Sequence, residues 1–530
     1  MLFNSFAFIF LFLPVALAGY YGLGLIRARL AIVWLVIASF LFYAWWDSTF
    51  VLLLLGSIVV NFLVGMTLLR LEERPRAQFL LTVIGVGGNI GLLFYFKYLF
   101  PLMNFFRDLL LQDPSVASVI LPLGISFFTF TQIGFLLDCK AGTIKARGPV
   151  SYLLFVTFFP HLIAGPILHH REMMPQFAEP ETTRFRSENL SIGFTIFVIG
   201  LAKKVLLADG IAPYAQSGFA VPHDLQFFGA WSAAVSYTLQ LYFDFSGYSD
   251  MALGLAKMFG VRFPLNFNAP LKATSIIGFW QAWHMTLTRY LNLYLYNPVA
   301  LAITRRRAAR GLPVGKKAAA TPAGFLTMVL VPTIFTMGLA GAWHGAGLQF
   351  VIFGLLHGAY LVINNGWRTW RGSRGVRGGA SDGGLARAGW VGLTFLAVVV
   401  SMVYFRAASV PDAHRILAAM VGLHGVEAIG WFPLDAAAGQ VESVWQFLRL
   451  LVGRWLHPLQ IVLLLAIAWT LPSVHQFMGR WSPALERPQA SAIGWLQWRP
   501  SPLWGAVTCA LFFYCLLYLN RKAEFLYFQF

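Results

Sequence analysis

Charge is scarce in this sequence. Only 11% of its 530 residues are Asp, Glu, Lys or Arg, against 58% hydrophobic. Soluble domains carry roughly 25% charged residues, so a water-soluble globule of 59.0 kDa is excluded: it has too little polar surface to cover its apolar bulk. Cysteine is nearly missing too. Cys139, Cys509 and Cys515 form neither a disulfide framework nor a metal-ligand spacing, and read as packing residues. Motifs that announce particular chemistries are also missing. There is no C-x-x-C, no zinc-hydrolase histidine motif and no P-loop. The lack of D-x-D argues against a metal-dependent sugar-nucleotide transferase. No His has an Asp five positions on, which argues against the soluble type of glycerolipid acyltransferase. What remains is histidine chemistry without metal, either a general base activating a hydroxyl or a proton relay.

Acidic residues are the scarcer sign, 21 against 39 Lys and Arg, for a net charge of +18. The surplus does not point to nucleic acid, because it sits in short links between apolar segments. These links are Arg27 and Arg29, the run "RRRAARGLPVGKK" at 305–317, and Arg368, Arg371, Arg374 and Arg377. Basic links face the cytoplasm by the positive-inside rule. There they lie near anionic head groups and can attract an anionic cytoplasmic substrate.

Long apolar runs are what the chain has in abundance. Residues 30–46, 51–69, 79–96, 116–137 and 503–519 each approach the length that crosses ~30 Å of hydrocarbon. Lipid forces each span to satisfy its own backbone hydrogen bonds, so the fold class is all-α, a polytopic membrane protein. The first positive charge is Arg27, which predicts a retained first span rather than a cleaved signal. With Arg27 and Arg29 inside, the next helices alternate consistently: "WWDST" at 45–49 outside, "RLEERPR" at 70–76 inside, "FKYLFP" outside, "DCKAGTIKARG" inside. Residues 408–457 are nearly charge-balanced and fall outside. The same count places the final "NRKAEF" outside, against the positive-inside rule.

The central third is less regular. "FFPHLIAGPILHH" at 158–170 holds two prolines and a glycine in an apolar run, which predicts a broken or re-entrant segment. "LQLYFDFSGYSDMALGLAKMFG" at 239–260 carries Asp244 and Asp250 in a helical pattern, with Gly247 between them as a candidate break. The two acids are about 240° apart on a helix, so they share no face. Their blander reading, slightly favoured, is neutralisation by a nearby Arg or capping of a broken helix end. In "FWQAWHMTLTRYL" the residues Trp280, Trp283, Leu287 and Leu291 form a helical stripe with His284 at its edge. Such a stripe is more often packing than a cofactor box.

Residues 318–367 contain no Asp, Glu, Lys or Arg, yet His344 sits there beside Trp343 in "GLAGAWHGAGLQF". The flanking links are both basic, so the segment is a hairpin with His344 at its far turn or within a dipping segment. On its own His344 is as good a turn histidine as a functional one. His357 lies roughly 20 Å further along a continuous helix. The pair therefore makes no two-ligand metal site, and His357 reads as core, at most lining a substrate.

Taken together, "LYFDFSGYSDMALGLAKMFG", "FWQAWHMTLTRYL" and "GLAGAWHGAGLQFVIFGLLHG" resemble the membrane-bound O-acyltransferase (MBOAT) family. "FFPHLIAGPI", "LPLGISFFTF" and "FYAWWDSTF" bring the likeness nearer to the branch that holds alginate O-acetyltransferase membrane subunits. Six modest motifs in one order are strongly specific, and they run from about residue 5 to 407. The resemblance implies 11–13 transmembrane or re-entrant helices in a ring around a thinned centre, entered by a cytoplasmic funnel. It implies one domain over 1–530, with the C-terminal helices and an extracytoplasmic loop in 408–530.

It also implies roles. His344 matches the family's catalytic histidine, the general base, and His284 its second histidine, orienting a donor thioester or polarising its carbonyl. Trp343, Trp283, Trp280, Asp250, Asp244, Tyr248 and His357 are candidate substrate-binding or positioning residues. The donor implied is acetyl-CoA, used as substrate, with no resident cofactor and no metal. The implied partners are the lipid bilayer, an SGNH-type periplasmic acetyltransferase and polysaccharide export machinery, and the location is the bacterial inner membrane. Alginate, cellulose or another exopolysaccharide all fit as the polymer. Where the family usually shows "FWRRWH", Gln281 and Ala282 stand here, and "NLYLYNPVALAITRRR" replaces "RDYLYIPLGGNR". A transporter with midplane acids, or a scaffold for export, are readings of other classes. The first asks for internal repeats, which the sequence lacks, and the second makes both histidines dispensable.

Overall fold

The computed structural model describes residues 1–109, 120–144, 148–373, 383–427, 444–486, 494–519 and 526. Among them every regular element is helical, and there is no strand. Arg374, Arg377 and all of "NRKAEF" lie outside the described residues. Seven helices are long and apolar enough to cross a membrane: Ala7–Ile26, Thr49–Arg70, Pro75–Asn104, Ser187–Ala220, Pro322–His344, Leu348–Gly372 and Gly384–Arg406. Ala28–Ala44, Trp455–Thr470 and Pro502–Leu516 are shorter apolar helices. Their outer faces carry large exposed side chains such as Leu52, Leu63, Phe79 and Ile363. So much bare apolar surface marks a membrane interaction: this is a multi-pass membrane protein.

The N-terminal part comprises α1 (Leu13–Ile26), α2 (Ala28–Ala44), α3 (Thr49–Arg70), α4 (Pro75–Phe94) and α5 (Ile125–Lys140). The helix expected over 116–137 starts only at Ile125, and 116–119 lie outside the described residues. Its start is delayed by Gly124, at φ +72°, where a Cβ would meet Leu162 O at 2.5 Å. Only glycine adopts that backbone without penalty so close to a neighbour. Next, α6 (Pro149–Thr157) and α7 (His170–Ala178) flank the expected broken segment. Residues 163–169 there are irregular, and 154–168 are buried throughout. Burial in protein is the condition under which lipid tolerates open backbone.

Around the centre stand α8 (Ser187–Ala202), α9 (Asp209–Ala220) and α10 (Phe227–Met258). Every residue from 236 to 259 is buried, so α10 is apolar-packed on all sides and forms the hub. It does not break at Gly247. That glycine lets α8 touch α10: a Cβ on Gly247 would stand 2.7 Å from Gly200 O, and one on Gly254 would stand 2.5 Å from Gly193 O. Small residues permit such backbone contact between helices in lipid. Beyond it come α11 (Ile276–Trp280), α12 (Met285–Leu291), α13 (Val331–His344), α14 (Leu348–Ser373), α15 (Gly384–Arg406), α16 (Val410–Met420), α17 (Val444–Thr470) and α18 (Pro502–Leu516). As expected, α13 and α14 form a hairpin, and His344 lies at its turn.

Candidate active site

His344 is the last residue of α13 and is buried at 6% exposure. Its ring lies 4.9 Å from that of Trp343 and 5.1 Å from that of Phe405. His284 reaches the same place from another element. Both line one narrow space of about 10 Å³, together with Trp280, Trp283, Phe353 and Phe405. That is room for about one water molecule. Two histidines 60 residues apart in sequence thus face a single interior.

His284 is not on the continuous helix that the Trp280–Leu291 stripe predicts. The helix stops at Trp280 and restarts at Met285, with His284 between them at φ 42°, ψ 53°. A left-handed non-glycine residue costs about 1–3 kcal/mol and persists only where its surroundings over-determine it. Asn266 does this here. Its backbone oxygen accepts from Met285 N at 2.9 Å. Its side-chain Oδ1 accepts from Thr286 Oγ1 at 2.8 Å and sits 2.9 Å from His284 Nδ1. An oxygen already accepting from a hydroxyl takes the Nδ1 proton, so Nε2 is the basic nitrogen of His284. Asn266 Nδ2 donates in turn to Ser249 Oγ at 3.0 Å. Nothing in the sequence singled out Asn266.

The other expected residues divide into two groups. Trp280 and Trp283 line the histidine cavity. His357 stands behind it, with Nδ1 accepting from Trp280 Nε1 at 3.2 Å and Nε2 lying 2.9 Å from Ser401 Oγ. Ser401 gives its own proton to Val398 O at 2.7 Å, so both nitrogens of His357 are used. His357 is core and holds Trp280. Trp343 stacks on Phe130 at 4.9 Å and is not among the cavity-lining residues.

Asp244, Asp250 and Tyr248 do not line the histidine cavity, and both acids face the turn that follows α8. Asp250 pairs with Lys203 at 2.6 Å, and Asp244 with Lys204 at 2.7 Å. Tyr248 stacks on Phe3. Neutralisation of the acids is as expected, but by lysine rather than arginine, and no helix end is capped.

A larger cleft of about 690 Å³ lies beside the cavity. Lys272, Arg368, Arg371 and Arg387 line it with the indoles of Trp367 and Trp390, and among the described residues no acidic side chain does. Gly278 and Ala282 face this cleft, while Trp280, Trp283 and His284 face the histidine cavity. The five-residue α11 and the turn after it are therefore the wall between them. Ala282, one of the two positions lacking the usual arginine, borders the cleft, whose positive charge comes from other elements.

Two further polar groups escaped the sequence. Lys97 is buried at 8% exposure and donates to Trp343 O and His344 O, at 2.6 and 3.0 Å. Asp138, His169 and His170 offer ligand atoms within 4.8 Å of one another, the spacing of a possible metal site. Tyr294 Oη, His169 Nε2 and His170 Nδ1 lie 2.7, 2.9 and 3.2 Å from the same Asp138 Oδ2. His169 Nδ1 accepts from Arg171 N at 3.3 Å, leaving Nε2 as the donor.

Against known sequences, residues 118–312 match the model of the membrane-bound O-acyltransferase family. The chain is 38% identical over 453 residues to a peptidoglycan O-acetyltransferase of Helicobacter pylori, covering 80% of this chain and 81% of the relative. It is 37% identical over 429 residues to a probable alginate O-acetylase of Pseudomonas aeruginosa, covering 79% and 75%. A teichoic acid D-alanyltransferase of Bacillus subtilis is 27% identical over 250 residues, covering 47% and 60%.

Proposed function

This chain belongs to the membrane-bound O-acyltransferase family, and on that premise we propose that it is a bacterial inner-membrane O-acetyltransferase. It takes the acetyl group of acetyl-CoA from the cytoplasm and passes it across the membrane to O-acetylate an exported polysaccharide. One observation carries the reading: His344 and His284 line one narrow cavity, and only α11 and its turn separate it from a basic, indole-lined cleft. Four cations, with no acidic side chain among the described lining residues, suit the phosphates of a nucleotide thioester, and the indoles suit its purine. By the positive-inside rule Arg368 and Arg371 put the cleft on the cytoplasmic side.

In this reading His344 removes the proton of an acceptor hydroxyl. The oxygen attacks the thioester carbonyl, the C–O bond forms and the C–S bond breaks. The thiolate then leaves with the proton returned by the imidazolium. His284 has its Nδ1 proton committed to Asn266, so in its neutral form it receives a hydrogen bond on Nε2. This supports orienting the incoming hydroxyl over polarising the carbonyl. The cavity holds one water-sized group, so the acetyl group enters only as the wall of α11 and Trp283 moves.

The acceptor is an SGNH-type acetyltransferase outside the membrane, or the polymer itself. The relatives' names bring alginate and peptidoglycan forward as polymers. The test is His344→Gln in cells, with polymer O-acetylation and protein level measured together. Lost acetylation at normal protein level is the expected result. Normal acetylation overturns the catalytic role.

A further inference from the structure

We infer that Lys97 is a positioning residue for His344: its ammonium fixes the end of the helix that presents the imidazole. The inference rests on the acetyltransferase reading above. An α-helix leaves its last four carbonyls without partners inside the helix. In α13 these belong to the segment that ends at His344, in a narrow site with little water to satisfy them. The residue after the helix, Gly345, is extended and makes no backbone cap. Lys97 and Tyr98 fill the need. Lys97 Nζ holds Trp343 O at 2.6 Å and His344 O at 3.0 Å, and Tyr98 Oη holds Ala342 O at 2.7 Å.

Three consecutive carbonyls are thus held by two consecutive side chains from one distant element. That element is a π-helical turn, Tyr95–Leu99, which continues α4. Both side chains reach α13 from it. The charge matters as well as the bonds. A cation at a helix C-terminus meets the negative end of the helix dipole, whereas a lysine inside a membrane protein is costly without such a partner. Lys97 also lies 5.7 Å from the centroid of the Trp343 ring. It does not line the histidine cavity or the basic cleft, so it acts through the backbone that carries His344.

The experiment compares purified full-length wild type, Lys97→Met, Lys97→Arg and His344→Gln in vesicles, with acetyl-CoA as the probe. Steady-state rates and protein recovery are measured together. Lys97→Met keeps length and loses charge. Its kcat is expected to fall about 100-fold, the effect of misplacing a catalytic group by about 1 Å, with KM for acetyl-CoA unchanged. Lys97→Arg is expected to recover part of the lost kcat.

Wild-type kcat in Lys97→Met, a loss confined to KM, or a Lys97→Arg no better than Lys97→Met at equal recovery overturns the inference. Where Lys97→Met does not accumulate, Tyr98→Phe carries the test. It removes one bond from the same helix end and should lower kcat at constant KM; wild-type kcat again overturns the inference. His344→Gln separates the two levels. If it still transfers acetyl, the reading of the site fails. If it is inactive while Lys97→Met is normal, only the role of Lys97 fails.

Discussion

Gly354 lines neither the histidine cavity nor the basic cleft. It faces Gly341 where α13 and α14 cross just below the His344 turn. A Cβ built on Gly354 would lie 2.2 Å from Met337 O and 2.9 Å from Gly341 Cα. Ordinary contact begins near 3.4 Å, so Gly354→Ala forces two backbones about 1 Å apart. Neither obstacle is the end of a flexible side chain, so the hairpin itself must shift. Overpacking of this kind costs about 1–3 kcal/mol. A shift of about 1 Å in a catalytic group lowers a rate by about 100-fold.

Gly366 on the same hairpin serves as the control, because the nearest atom there is Phe325 Cζ, at 3.6 Å. Gly366→Ala should leave the rate alone and gain up to about 1 kcal/mol of helix propensity. The assay is acetyl transfer by the purified variants, alongside melting in detergent. If Gly354→Ala transfers acetyl as Gly366→Ala does, the tight hairpin does not set the position of His344, and the reasoning fails.

Three other outcomes follow from named contacts. Asn266→Ala frees the ring of His284 and leaves buried donors behind; kcat should drop roughly 100-fold and the melting temperature should fall, while unchanged kinetics would remove Asn266 from the site. Lys204→Met strands Asp244 and Asp209, which Lys204 pairs at 2.7 Å each. Breaking a buried pair costs about 3–5 kcal/mol, so Lys204→Met should melt well below Lys204→Met/Asp244→Asn, and equal melting would refute the pairing.

The third is a pH dependence at Glu427, in the loop after α16. Burial pushes its carboxyl up, but the N–H groups of Gly229 and Phe228 outweigh that and hold it below the ordinary value. A depressed carboxyl stabilises above its unfolded pKa of about 4.3. That stability is lost as pH falls through the folded pKa. Glu427→Gln should therefore melt lower than wild type near neutrality, with the gap closing in acid; a gap constant with pH would contradict this.

Much of the fold was legible because lipid simplifies the code. Uncharged runs of span length announced α2, α3 and α4, and the charge-free stretch between two basic links announced the α13–α14 hairpin, with the turn as one of two positions for His344. The prolines of 158–170 announced a break, and the break is there. Part of what escaped has a common physical cause. Lys97, Lys203, Lys204 and Tyr294 all sit in π-helical turns, Tyr95–Leu99, Lys203–Ala208 and Asn292–Tyr296. One inserted residue rotates the following face by about 100°, so a 3.6-residue period assigns such side chains to the wrong side.

His284 was misplaced onto a continuous helix for a related reason. The Trp280, Trp283, Leu287 and Leu291 pattern is buried as expected, but a left-handed residue divides it. That conformation depends on Asn266, which is 18 positions away. Gly247 misled in the opposite sense. Glycine reads locally as a break, but here it is spent on helix contact with Gly200, a property of the partner helix rather than of α10. The acids in "YFDFSGYSD" looked like site residues because charge is costly in lipid. They are neutralised by lysines that the sequence did not connect to them.

The central claim, that His344 is the base of an acetyl transfer from acetyl-CoA, is tested most directly by single-turnover transfer. Purified full-length wild type and His344→Gln would be placed in sealed vesicles with radiolabelled acetyl-CoA, and an acceptor sugar or acetyltransferase supplied on the opposite face. Wild type is expected to release CoA and label the acceptor, whereas His344→Gln still binds acetyl-CoA but releases no CoA above the buffer rate. Labelling by His344→Gln at the wild-type rate would contradict the claim.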